Sequence, residues 1–193
     1  METLKWNTDY LSKTILDDPT DSATSEAAEF YIIYQVGNET LEKGIWTRPE
    51  NETQTGRSAY YTTTYNGTSD LAGQISAAFS ATAMVFKDSD PAYYNTLMNY
   101  STLVYAAGTR NRGAYTSDYL CPCADVDSTD VITTGTPTCL PGDELFEGAM
   151  LATYNSTSYL DDLAWAASWL NMATGDPAYL NDAYRSYTGS SCS

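Results

Sequence analysis

The chain has 193 residues, enough for one domain with a substantial core. It carries 25 acidic against 9 basic residues, for a formal net charge of -16. Such a field repels nucleic-acid backbones and anionic membrane surfaces, whereas a neutral polymer such as a polysaccharide is compatible with it.

In chain order, residues from Glu2 to Leu16 read as an amphipathic helix. Leu4, Leu11 and Ile15 recur at near-helical spacing, with Trp6 and Tyr10 beside them. This segment is not a signal peptide, because it lacks a basic leader and an uninterrupted apolar run. A start inside a helix is what a piece of a longer chain would show. Asp17-Asp-Pro19 ends the helix, since a residue before proline avoids the helical region. The apolar run Tyr31–Val36 reads as a brief strand or extended segment. Residues 37–68, rich in Thr, Asn, Gly and Tyr, read as one long ordered loop, a feature that is often functional.

Helices then resume. Leu71, Ile75, Ala78, Phe79, Val85 and Phe86 mark one apolar face, with Ser69 or Asp70 able to cap its start. Asp90 and Pro91 stand at the N-cap and first position of the next helix, which carries Leu97, Met98, Leu103, Val104 and Tyr105 and is expected to stop near Gly108. Pro122, Gly135, Pro137 and Pro141 argue against regular structure between residues 109 and 141. A short helix is expected from Glu144 to Leu151 and a longer one from Tyr159 to Met172. In the latter Leu160, Leu163, Ala167 and Leu170 line one side, and Trp165 and Trp169 lie on a neighbouring stripe. Gly175 stops it, and Asp176-Pro177 starts the last helix. No stretch is long and apolar enough for a membrane span.

Ser89-Asp-Pro-Ala-Tyr93 and Gly175-Asp-Pro-Ala-Tyr179 join helices by the same words. Asp-Pro is a good helix start in any context. The alternative reading is a repeated αα-hairpin, the unit of an (α/α) toroid, with the aromatic loops gathered at one rim.

The chemistry-bearing residues are restricted. There is no His, so proton chemistry falls to Asp, Glu or Tyr. The 17 Tyr and 4 Trp supply either packing or flat faces for stacking on sugar rings. Acceptor sequons for N-glycosylation begin at Asn38, Asn51, Asn66, Asn99 and Asn155, three of them in the polar loop region. Cys121 and Cys123 are too close to bridge each other comfortably. With Cys139 and Cys192 they form either two disulfides in an oxidising compartment or, less in keeping with the Cys-x-Cys spacing, one zinc site. The sequons and the cysteines together point to a secreted, extracellular protein.

The wording of the sequence resembles glycoside hydrolase family 9, the endo-β-1,4-glucanases, in the family's own order. The matching words are Leu4-Lys-Trp-Asn-Thr-Asp-Tyr-Leu11, Tyr34-Gln-Val-Gly37, Trp46-Thr-Arg-Pro-Glu50 and Gly67-Thr-Ser-Asp-Leu-Ala72. They continue with Val85-Phe-Lys-Asp-Ser-Asp-Pro-Ala-Tyr93, Asn111-Arg-Gly-Ala-Tyr115, Tyr154-Asn-Ser156 and Ser158-Tyr-Leu-Asp-Asp-Leu-Ala-Trp165. The resemblance implies an all-α fold, about half of an (α/α)6 toroid with long irregular loops. Residues 1–193 would be a single partial domain whose N- and C-terminal portions lie elsewhere.

It further implies hydrolysis of β-1,4-glucan with inversion. That chemistry needs a general acid and a general base roughly 6.5–9.5 Å apart. The family's base segment would precede Leu4 and its acid would follow Tyr179, so no catalytic residue is assigned here. The resemblance assigns Trp46, Tyr154 and Tyr159 to the glucan cleft. It also assigns Ser158, Asp161 and Asp162 to a Ca²⁺ site, although two acids opening a helix also suit its macrodipole without any metal. No other cofactor is required.

Departures from the family wording point to the alternative. The family's Asp-His before the tryptophan is replaced by Leu41-Glu-Lys-Gly-Ile45, and the usual glutamate after Gly-Ser-Asp is Gln74. These favour a non-catalytic extracellular glycoprotein of the same fold, with a structural, assembly or carbohydrate-binding role. In both readings half a toroid exposes helix faces that need covering, by the remainder of the barrel, another protein chain or self-assembly.

Overall fold

A computed structural model of the chain describes residues 1–17, 30–37, 44, 47–51, 59–62, 67–115, 119–120, 140–141 and 158–189. Helix α1 spans Glu2–Ser12. It is shorter than its apolar spacing suggests, because Ile15–Asp17 leave the helix to form β1. Strand β1 pairs antiparallel with β2, Phe30–Val36, placing Ile15 opposite Ile32. Ile15 and the β-branched Thr14 suit that pleated surface better than a helix end. The apolar run at Tyr31–Val36 is thus a strand, as expected. Strand β3, Ala59–Tyr61, adds to its other edge with a bulge between Ile33 and Gln35. A single 3-10 turn covers Pro49–Asn51.

Helix α2 spans Ser69–Phe86 and α3 spans Pro91–Arg110. The segment read as wholly irregular contains one short pairing, β4 at Tyr119–Leu120 with β5 at Leu140–Pro141. Helix α4 spans Leu160–Thr174 and α5 spans Pro177–Thr188. The helix expected at Glu144–Leu151 lies outside the described residues.

Both Asp-Pro turns behave as read. Asp90 Oδ1 accepts from the Tyr93 amide at 3.1 Å, and Asp176 Oδ1 accepts from the Ala178 amide at 2.9 Å. Gly175 closes α4 at φ 76°, a left-handed conformation that favours glycine. Gly108 does not stop α3. It lies inside the helix, where the Cβ of Ala72 would stand only 2.6 Å from an added Cβ. Its missing side chain serves close packing against α2 rather than termination.

Helix α2 is the hub. It packs most extensively on α3 and α4, and α5 packs back onto α4. Phe79 on α2, Leu97 and Val104 on α3, and Leu163 and Leu170 on α4 are fully buried in the core. Val85 and Leu103, expected on buried faces, are 50% and 38% exposed. At the α2–α3 crossing the core is small and polar. Ser101 Oγ lies 2.9 Å from Ser76 Oγ and 2.6 Å from Ser80 Oγ, and all three residues are fully buried. The trio lets two backbones approach while satisfying its own hydroxyls.

Helix α1 is tied in through Tyr93, at the start of α3. The Tyr93 hydroxyl bonds Thr8 Oγ1 at 2.7 Å and donates to Asp9 Oδ1 at 2.6 Å. Lys5 Nζ lies 4.3 Å from the Tyr93 ring centroid, a cation–π distance.

Candidate functional site

Four of the sequence motifs meet at one end of the helical layer, where α2 and α4 begin and α3 ends. The start of α2 is stitched to the segment after α3. The Thr68 amide donates to the Asn111 carbonyl and the Ser69 amide to the Gly113 carbonyl, each at 2.9 Å. Ser69 Oγ donates to the Gly108 carbonyl at 2.7 Å and accepts from the Gly113 amide at 3.1 Å. Gly67 and Gly113 approach so closely that a Cβ on Gly67 would collide with the Gly113 backbone.

This stitching corrects the capping expectation. Thr68 holds the N-cap position without a side-chain cap bond, and Ser69 and Asp70 are buried inside the first turn. The Asp70 carboxylate accepts from the Leu71 amide at 2.8 Å and from the Tyr115 amide at 3.0 Å. Burial pushes its pKa up to about 6, and the nearby Asp162 adds to the rise, while the backbone N–H donors oppose it.

A tyrosine cluster flanks the same end. The ring centroids of Tyr34 and Tyr115 are 5.0 Å apart and those of Tyr34 and Tyr60 are 6.5 Å apart. Burial, with Tyr115 and Tyr60 as negative neighbours when ionised, pushes the Tyr34 phenol up to about 12. It is therefore a neutral hydroxyl at physiological pH. Tyr34 and Tyr60 stand on strands β2 and β3, and Tyr115 follows the end of α3.

The start of α4 completes the rim. Ser158 Oγ accepts from the Leu160 amide at 3.3 Å, and the Tyr159 carbonyl accepts from the Leu163 amide at 3.1 Å. Tyr159 is half-buried and packs against the core edge. Asp162 Oδ1 accepts from Gln74 Nε2 at 2.5 Å. Burial raises the Asp162 pKa, and Asp161 raises it further against the lowering effect of Gln74. Asp161 instead lines a groove between α4 and α5 with Trp165 and Tyr184.

Of the three positions assigned to Ca²⁺, Ser158 Oγ and Asp162 Oδ1 accept from protein donors, and Asp161 lines the groove between α4 and α5. Among the described residues no three His, Cys, Asp or Glu side chains gather as a metal site.

Trp46 and Tyr154 lie outside the described residues, as do Asn38, Asn66, Asn155 and the cysteines at 121, 123, 139 and 192. Asn51 and Asn99 are exposed. The sequence reading gave no role to Asp70 beyond a cap, nor any to the pairing of Tyr34 with Tyr115. A buried acid in the first turn of a helix leaves no spacing signal. Only the motif Gly67-Thr-Ser-Asp70 hinted at it.

The comparisons decide the family. A model of the family described as "Glycosyl hydrolase family 9" matches residues 1–192. The chain belongs to glycosyl hydrolase family 9. It is 31% identical to Endoglucanase 1 of Arabidopsis thaliana over 183 residues, covering 93% of this chain and 28% of that protein. It is 33% identical to Endoglucanase 21 of Oryza sativa subsp. japonica over 184 residues, covering 95% of this chain and 27% of that protein. Among solved structures, the endoglucanase of the termite Nasutitermes takasagoensis superposes with a TM-score of 0.67 at 29% identity, covering 97% of this chain and 34% of that one. The cellulase Cel9M of C. cellulolyticum, solved in complex with cellobiose, gives 0.64 at 27% identity, covering 97% of this chain and 33% of that one.

This family 9 chain is therefore part of the (α/α)6 barrel of these enzymes. It spans about a third of the solved structures' length and less than a third of the curated relatives' length, not the half expected. The described residues hold five helices, and the sixth counted from the sequence, Glu144–Leu151, lies outside them.

Proposed function

We propose that the chain forms one wall of a β-1,4-glucan cleft in a secreted, endoglucanase-type hydrolase that works by inversion. The acid and base would be supplied by barrel segments outside this chain. The observation that carries this reading is the convergence of the family's words at one rim. Tyr34, Asp70, Tyr115 and the Ser158–Asp162 turn come from distant parts of the sequence and meet where α2 and α4 begin. Exposed aromatic rings along such a rim would suit the flat C–H faces of a β-glucan, while hydroxyls and amides suit its equatorial hydroxyls. The relatives support the substrate class, since one of them was solved with cellobiose bound.

Trp46, Tyr154 and Tyr159 are proposed to contact the sugar. Isothermal titration of the chain with cellotetraose should show binding without release of shorter sugars, and Trp46→Ala should weaken it about tenfold, the scale of one lost aromatic stack. Turnover of soluble β-glucan above background by this chain would overturn the assignment of acid and base elsewhere. Secretion and N-glycosylation belong to the same proposal and are supported by the exposure of Asn51 and Asn99. Expression through a eukaryotic secretory pathway should give a product that loses mass on endoglycosidase treatment. A product of unchanged mass would count against glycosylation.

A further inference from the structure

Of the two described acceptor asparagines, Asn51 and Asn99, the second stands in an unusual place. Acceptor triplets belong to surface loops, where the Asn amide and the hydroxyl two residues on can be presented together. Asn99 instead lies in the middle of α3, which runs unbroken from Pro91 to Arg110. Successive side chains on a helix turn by about 100°, so residues i and i+2 point to nearly opposite faces. Accordingly Asn99 is exposed, whereas Ser101, the hydroxyl of its triplet, is 0% exposed.

The Ser101 hydroxyl is also engaged. It donates to the Ser76 carbonyl at 2.9 Å and lies 2.6 Å from Ser80 Oγ. Tyr100, between the two, has its ring centroid 5.6 Å from that of Phe79. Core residues flank the triplet, Leu97 and Met98 before it and Val104 after it. Freeing Ser101 therefore means detaching α3 from α2. Such an opening of buried core lies near the global end of the stability range, far from local fraying.

We propose that Asn99 accepts an N-linked glycan only while α3 is unfolded, because folding buries the Ser101 half of its triplet. The inference rests on the glycoprotein reading only for where in the cell it operates. In the transfer, Asn99 Nδ2 forms a bond to the anomeric carbon of an oligosaccharide carried on a polyprenyl diphosphate. The bond from that carbon to the diphosphate oxygen breaks, the polyprenyl diphosphate leaves, and one amide proton passes to a base of the transferase. The transferase engages both the amide and the hydroxyl, which an extended chain offers on one side and α3 does not. Once attached, the glycan fits the folded chain. Asn99 is exposed and stands about 16 Å along α3 from the rim end at Arg110. Occupancy at Asn99 is thus set by a race between transfer and folding.

The test supplies both enzyme and donor. The full chain, its Leu170→Ala variant and a peptide of residues 95–105 are incubated with a purified oligosaccharyltransferase and lipid-linked oligosaccharide. Modification at Asn99 is followed by mass spectrometry of proteolytic fragments. Leu170 is fully buried on α4, so its truncation raises the unfolded population without altering the acceptor triplet. The parent chain should be modified at least tenfold more slowly than the peptide, and Leu170→Ala should recover at least tenfold, in step with faster exchange of the Ser101 amide. Equal rates in parent and peptide overturn the proposal, as does a peptide that accepts no glycan. A slow parent with no gain in Leu170→Ala also overturns it, since folding would not be the barrier. If the expected pattern holds but a secreted chain carries no glycan at any sequon, the gating stands and the glycoprotein reading falls.

Discussion

Asp70 shows how a single side chain can carry a junction. It accepts from the Leu71 and Tyr115 amides while buried, so the cost of desolvating a charge is set against two N–H donors and the positive end of α2. Burial wins in part, and the pKa rises from 3.8 to about 6. The folded chain then holds this proton more tightly than the unfolded chain. Its stabilising contribution is complete below about pH 4 and is lost as pH rises through about 6. Asp70→Asn keeps an acceptor without the charge. In thermal melts its Tm should gain on the parent's as pH rises from 4 to 7, and a constant difference would contradict the raised pKa. Asp70→Ala leaves two N–H groups unpaired and should cost about 1–3 kcal/mol in denaturant unfolding. Ser101 is the second such residue. Ser101→Val adds volume at a crossing with no room and orphans the Ser80 hydroxyl, while Ser76 keeps its bond to the carbonyl of residue 101, for an expected loss of about 2–4 kcal/mol.

Among elements, the contacts that fix geometry are made where side chains are missing. Gly73 seats α4, Gly108 admits Ala72, and Gly67 meets Gly113. Gly73→Ala should push α4 outward at its start. We expect a loss of about 1–3 kcal/mol by denaturant unfolding, with exchange protection falling most in the first turn of α4. Uniform loss across all helices would instead indicate a general destabilisation. Helix positions and the Asp-Pro turns were legible in the sequence because apolar spacing and proline act locally. The end of α1 was not, because pairing of Ile15 with Ile32 overrides local helix preference. Nor was the role of Gly108, since a glycine used for packing and a glycine used for termination look alike.

For the whole molecule, the decisive feature is a face that the described residues leave uncovered. Trp165, Leu180, Tyr184 and Tyr187 are 53%, 56%, 69% and 84% exposed along the α4–α5 groove. An apolar surface of this kind favours association in an otherwise highly charged protein. Replacing Trp165 and Tyr184 together by Ser should reduce concentration-dependent light scattering while changing folding stability by no more than about 0.5 kcal/mol each, as for exposed positions generally. Unchanged scattering with a marked loss of stability would mean that these rings already serve the fold.

The division between sequence and tertiary structure follows from the range of the forces involved. Family membership, the helical class and the placement of the hairpin turns could be read from residues near one another in the chain, because periodicity, capping and motif wording are local properties. The rim was decided only by packing. Asp70 reaches Tyr115, Tyr34 reaches Tyr115, and Gln74 reaches Asp162 across as many as 88 positions of chain. Such pairs exist because glycine-lined crossings bring backbones together, and the distance and burial that tune their chemistry arise only once the helices are in place.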